Sequence, residues 1–215
     1  MSLPVHCSNI LVNQAFTTAN DFTVSFTYNM DTGGFNPVAN DGFAVFFIDG
    51  NVANLLGGGL GPGLGVVSGT DTSSTSAVQG VFATLGFDIA GNFSIQNSIP
   101  VFTTGRTDPT NVSNLITLRS TSDFTYIDSS YTVPINPYLF GPLGPAATPE
   151  AFQTIRVSVR NSFSRIDVHS LSDQTYVKLA SFNTNLSSIP PFAKCGISYS
   201  GDTIFNVRNI TVNYT

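Results

Sequence analysis

The stretch "NDGFAVFFIDG" sets Asp41 and a glycine at the mouth of an apolar run from Phe43 to Ile48. An ionised carboxylate placed there accepts hydrogen bonds and donates none. Taken alone, Asn-Asp-Gly is also a strong turn signal. A second carboxylate, Asp88, closes "VFATLGFD" and is followed four residues later by Asn92; by itself it reads as an acid at a strand end. Between the two, "LLGGGLGPGLG" (Leu55 to Gly65) holds six glycines and a proline, which suits a tightly packed crossing or a flexible loop. It lacks the Lys-Ser/Thr ending of a phosphate loop, so nucleotide binding finds no support. Asp167 and His169 fall on one face of a strand among serines, but no nucleophile elbow accompanies them. They read as polar residues on the solvent face of a hairpin.

The segments that must position these groups alternate with a period of two. In "FTVSFTYNM", Phe22, Val24, Phe26, Tyr28 and Met30 face one way and Thr23, Ser25, Thr27 and Asn29 the other. "TIRVSVR" sets Ile155, Val157 and Val159 opposite Arg156, Ser158 and Arg160, and after "NSFS" a second strand turns Ile166 and Val168 inward. No apolar positions hold helical spacing for long. The expected architecture is all-β, a two-sheet antiparallel β-sandwich of the jelly-roll kind, as a single domain over residues 1–215.

Charged residues make up only 10% of the chain against 41% hydrophobic, and the formal net charge is −5. An acidic chain with no basic block repels a phosphate backbone, so nucleic acid is not an expected partner. No apolar run is long enough for a membrane helix, and the start "MSLPVHCSNI" carries no visible secretion signal. Cys7 and Cys195 are two free thiols or a bridge between the first strand and a late one.

The order of features resembles the legume-type (L-type) lectin family within the concanavalin A-like sandwich folds. "FTVSFTYNM" followed by "NDGFAVFFID" resembles a sheet strand and an Ala-Asp-Gly strand, "GGGLG" the glycine-rich loop, and "VFATLGFDIAGN" the Val-Glu-Phe-Asp-Thr metal strand with its Asn. "TIRVSVRNSFSRIDVH" and "AKCGISYSGDT" resemble the later hairpin and the Val-Gly-Leu-Ser-Ala segment. The resemblance implies carbohydrate binding by Asp41, by a backbone N–H of Gly58 or Gly59, and by Asn92. It further implies calcium held by Asp88 and Asn92. A sugar presents fixed hydroxyl pairs, so its site wants a carboxylate acceptor, amide donors and an aromatic face. With no Trp in the chain, that face would come from Tyr126, Tyr131, Tyr138 or Phe140.

Departures from the family bear on the metals. Its Glu two residues before the metal-strand Asp is Gly86 here, Asn97 stands where better-known members keep a second Asp, and no histidine completes the set. The manganese-type site is expected to be lost, and two oxygen-bearing side chains alone would hold calcium weakly; Asp108 is a candidate replacement carboxylate. Related sandwiches that hydrolyse polysaccharides use paired glutamates, whereas this chain has a single glutamate, Glu150. The expectation is a non-enzymatic glycan-binding domain, extracellular or on a virion surface, as a homo-oligomer or part of a larger surface assembly. The alternatives are a structural or decoration module that binds no sugar and, behind it, a polysaccharide hydrolase.

Overall fold

The computed structural model describes residues 6–31, 42–55, 58, 63–66, 78–88, 93, 115–120, 125–131, 152–172, 174–186, 188–201 and 204–214. These form twelve strands: β1 (His6–Leu11), β2 (Phe16–Thr17), β3 (Phe22–Asp31), β4 (Gly42–Asp49), β5 (Val81–Asp88), β6 (Leu115–Ser120), β7 (Thr125–Tyr131), β8 (Gln153–Arg160), β9 (Arg165–Ser172), β10 (Thr175–Asn183), β11 (Phe192–Gly201) and β12 (Ile204–Tyr214). All pairings are antiparallel. A seven-stranded sheet runs β1-β11-β4-β5-β6-β7 with the short β2 beside β11, and a five-stranded sheet runs β10-β9-β8-β3-β12. This is the predicted all-β sandwich.

The alternation in β3 and β8 is the reason their sheet has an inside. Phe22, Val24, Phe26 and Tyr28 from β3 and Ile155, Val157 and Val159 from β8 are all buried. They meet Phe43, Val45 and Phe47 of β4 and Leu85 and Phe87 of β5 in one core between the sheets. Phe43 stacks on Phe87 with ring centroids 4.4 Å apart, and Phe205 of β12 lies 5.3 Å from Phe43 on the other layer. At the far end Phe163 turns inward from the β8–β9 turn and meets Phe47 edge-on at 5.1 Å. Offset and edge-to-face aromatic pairs each add about 0.5–1.5 kcal/mol beyond the area they bury, so the phenylalanines hold the layers in register as well as apart.

The inner strands of the seven-stranded sheet depart from simple alternation, and β4 shows how. Gly42 to Ile48 is buried throughout, although neighbouring side chains point to opposite faces. Phe43, Val45 and Phe47 enter the core between the sheets, whereas Ala44, Phe46 and Ile48 belong to a second cluster with Leu64, Val66, Val78, Val81 and Phe93. The outer face of the seven-stranded sheet is therefore roofed by residues from the segments that follow β4 and β5. This is why "AVFFI" is a continuous apolar run in an antiparallel sheet, where one polar face is the usual pattern.

The cysteines lie on adjacent strands, β1 and β11, but out of register. Cys7 pairs with Ser200, which sets Cys195 five residues further on, about 17 Å along the strand, against the 4.4–6.8 Å Cα separation of a disulfide, roughly. They also face opposite sides: Cys195 belongs to the core between the sheets, and the Cys7 Sγ abuts Gly65 on the outer face. Both are free thiols, and burial raises the Cys7 pKa and pushes that of Cys195 up to about 12. Reduction should leave the intact mass unchanged, and a thiol reagent at mildly alkaline pH should label Cys195 only after denaturation. A loss of two hydrogens in the unreduced protein would contradict the register.

Candidate functional site

The register of the seven-stranded sheet brings two of the predicted segments to one place. Gly42, the residue after Asp41, pairs with Asp88 on one side and with Ser200 on the other. Leu115 is opposite Asp88, and Tyr131 is opposite Leu115. The start of β4, the end of β5 and the end of β7 thus share one cross-strand row at one end of the sheet. Asp88 is fully buried. Asp41, Gly59, Asn92, Asn97, Asp108, Tyr138, Phe140 and Glu150 lie outside the described residues, as do the side chains of Tyr126 and Tyr131.

Two residues inward, the next row on the same face is made of small or short polar groups: Asn9, Ser198, Ala44, Gly86 and Thr117 from β1, β11, β4, β5 and β6. It forms a trough, and the glycine-rich segment settles into it. Leu64, held at φ 49°, has its carbonyl oxygen bound by the Ser198 hydroxyl at 2.6 Å. Gly65 (φ 79°) sits so close to β11 and β1 that a Cβ would come within 3.0 Å of Ser198 Cβ and 3.1 Å of Cys7 Sγ. Gly58, at φ 130°, crosses Gly65 closely enough that a Cβ would fall 2.2 Å from the Gly65 carbonyl oxygen. For Gly58, the predicted donor to a ligand, the packed crossing already demands glycine.

Gly86 carries the larger consequence. A Cβ there would lie 2.3 and 2.4 Å from Phe93 ring carbons and 2.9 Å from Leu64 Cδ1. The phenyl ring fills the space that a side chain at this position would need, so the position where the resembling family has its transition-metal glutamate is closed by an apolar group. The residues present do not fit a manganese-type site at this point. Beside it Arg119 is fully buried. Its Nε and Nη2 both donate to the Phe93 carbonyl oxygen, at 3.0 and 2.7 Å, and its guanidinium carbon lies 5.1 Å from the Phe93 ring centroid. Sequence reading missed both residues. A lone Arg in "LITLRS" suggests a solvent-facing position, and Phe93 is one of 18 phenylalanines.

Among the described residues no three of His, Cys, Asp and Glu come together as a metal-binding group. An open cleft of about 560 Å³ lies at the opposite end of β4, lined by Asp49, Gly80, Phe82 and the 188–191 segment. Its carboxylate is turned back on its own chain, Asp49 Oδ1 accepting from the Asn51 backbone N–H at 2.9 Å and from Asn51 Nδ2 at 3.0 Å. That cleft holds none of the predicted residues.

Asp167 and His169 lie on the outer face of the five-stranded sheet. Asp167 is ion-paired with Arg165 at 3.1 Å and Lys178 at 3.3 Å. Burial alone would raise its pKa, but hydrogen bonds from Ser181, Lys178 and Arg165 outweigh that and lower it. His169 is opposite both Arg156 and Lys178, and burial first, then Arg156, depress its pKa. The carboxylate serves two cations and the imidazole sits among them, so this is no catalytic relay.

Two outcomes follow from these environments. Gly86→Ala should destabilise the fold by about 1–3 kcal/mol, the usual cost of overpacking, seen as a lower denaturant midpoint at unchanged slope. For His169 the folded pKa lies below the unfolded one, so protons bind the unfolded chain first as pH falls through about 6.5 and stability drops there. Asp167 has the same sign, its contribution being lost below the ordinary carboxylate range. Thermal melts across pH should show the upper loss, and His169→Gln should flatten it while leaving the acid limb.

No protein-family model matches the chain, and no curated protein sequence does. Solved structures do. The lectin from Bauhinia forficata, in complex with GalNAc, superposes with a TM-score of 0.61 at 14% identity, over 99% of this chain and 82% of its own. The Lotus tetragonolobus seed lectin gives 0.60 at 14%, over 97% and 82%. Peanut lectin with a 9mer peptide gives 0.59 at 16%, over 98% and 81%. The likeness runs through nearly the whole chain and agrees with the two antiparallel sheets described above: the fold is a legume-lectin-like β-sandwich.

Proposed function

We propose that the chain is a non-enzymatic carbohydrate-binding domain whose ligand is recognised at the end of the seven-stranded sheet where β4 begins and β5 ends. The observation that carries this reading is the Gly42–Asp88 pairing. It sets the residue after Asp41 opposite the carboxylate that precedes the Asn92 segment, with the glycine-rich loop seated on the same face. In this reading Asp41 accepts from sugar hydroxyls, a backbone N–H of Gly58 or Gly59 donates, and Asn92 supplies an amide. Such a set suits a ligand with paired hydroxyls at fixed spacing. The similar folds of lectins solved with GalNAc and with galactose support the ligand class.

Calcium belongs to the same reading in a reduced form. Asp88 and Asn92 are the oxygen donors that would hold it, and with few carboxylates its affinity is low. Exposure at an extracellular or virion surface, and assembly into a larger array, are further parts of this proposal.

A glycan-array screen in calcium buffer, with Asp41→Asn in parallel, tests it. Binding that the substitution abolishes in a protein of unchanged melting temperature is the expected outcome. Silence of both proteins across a broad array would transfer the assignment to a structural sandwich that binds no sugar.

A further inference from the structure

The segment from Asp88 to Phe93 is fixed at both ends. At one end Asp88 is in the strand ladder, paired with Gly42 and Leu115. At the other, the Phe93 ring lies on Gly86 and its carbonyl oxygen accepts from Nε and Nη2 of Arg119. Residues 89–92, with Asn92 last, connect these two points. The guanidinium is permanently charged, planar and forked. A charge buried this deeply is retained only when it is paired or hydrogen-bonded, so Arg119 and the carbonyl hold each other in place. The ring over the guanidinium completes the enclosure by a cation–π contact.

We propose that Arg119 is a built-in cation that takes the structural part a transition-metal ion would play here, anchoring Phe93, the residue next to Asn92, to the sheet without any divalent metal. The two arrangements exclude one another in space. A glutamate at position 86 needs the volume that Phe93 occupies, and the Phe93 carbonyl is an acceptor for Arg119. Arg119 is a positioning residue, acting through the backbone of its neighbour's segment. Its effect on ligand binding rests on the carbohydrate reading; its effect on the segment does not.

Amide exchange by mass spectrometry on the full chain reads the segment without any ligand, so failure of glycan binding and failure of the clamp are seen separately. Protection of peptides covering 88–93 should be the same in untreated protein, after EDTA, and after return of Mn²⁺. Arg119→Met should speed exchange there by about tenfold to a hundredfold, the range set by a charge-assisted hydrogen bond, with β3 and β11 peptides unchanged. Arg119→Lys, which keeps the charge but loses the planar fork, should fall between. The proposal is overturned if EDTA-treated wild type exchanges as fast as Arg119→Met and Mn²⁺ restores it. It is overturned equally if Arg119→Met has no effect, or if the Met and Lys variants both loosen every strand alike.

Discussion

Everything at the candidate site depends on β4 having no polar face. A strand whose side chains are buried on both sides must be covered twice. The five-stranded sheet covers one side with phenylalanines, and residues from the connections after β4 and β5 must cover the other. That second requirement explains why Leu64, Val66, Val78 and Phe93 are drawn down onto the sheet. The loops are seated by apolar burial worth about 1.5–3 kcal/mol for each large side chain. The end of the sheet beyond this roof is where backbone and polar groups can converge with little freedom.

The trough of small residues is the other half of the arrangement. Ala44, Ser198 and Gly86 leave room above the sheet, and Leu64 and Phe93 take it. Gly196 acts similarly two residues further in on the same face, where a Cβ would meet the Phe46 ring at 2.2 Å. Close packing of ring on glycine locates the roof to a fraction of an ångström, since interiors pack at the density of organic crystals. The polar groups then follow: the Ser198 hydroxyl reaches the Leu64 carbonyl and Arg119 reaches that of Phe93.

The sandwich was legible because period-two alternation reports one buried face directly. β3 and the β8–β9 hairpin could be read residue by residue, and the positions read as inward from Phe22 to Tyr28 and from Ile155 to Val168 are buried. The limits are also physical. Alternation cannot show that a face reading as polar is covered, so Asn29, Ser158 and Asp167 are buried where the pattern points outward. The run "AVFFI" announces burial without saying that it divides between two cores. Gly86 is visible in sequence as a departure from a metal-binding pattern, but what fills its space comes from seven residues later and from the glycine-rich segment. Of the site residues, Asp88 and Gly58 can be placed; Gly58 has a packing reason for being glycine that its position in a glycine-rich loop concealed.

The contact of Phe93 on Gly86 also ties the two positions together. Two residues that share one volume are coupled, and their substitutions do not add. A glutamate introduced at position 86 would collide with the phenyl ring, while removal of the ring first would open a void beside a buried guanidinium. Either single step passes through a less stable protein. A side chain at position 86 and the Phe93–Arg119 pair therefore exclude one another, and passing from one arrangement to the other takes coordinated change at several positions rather than one residue at a time.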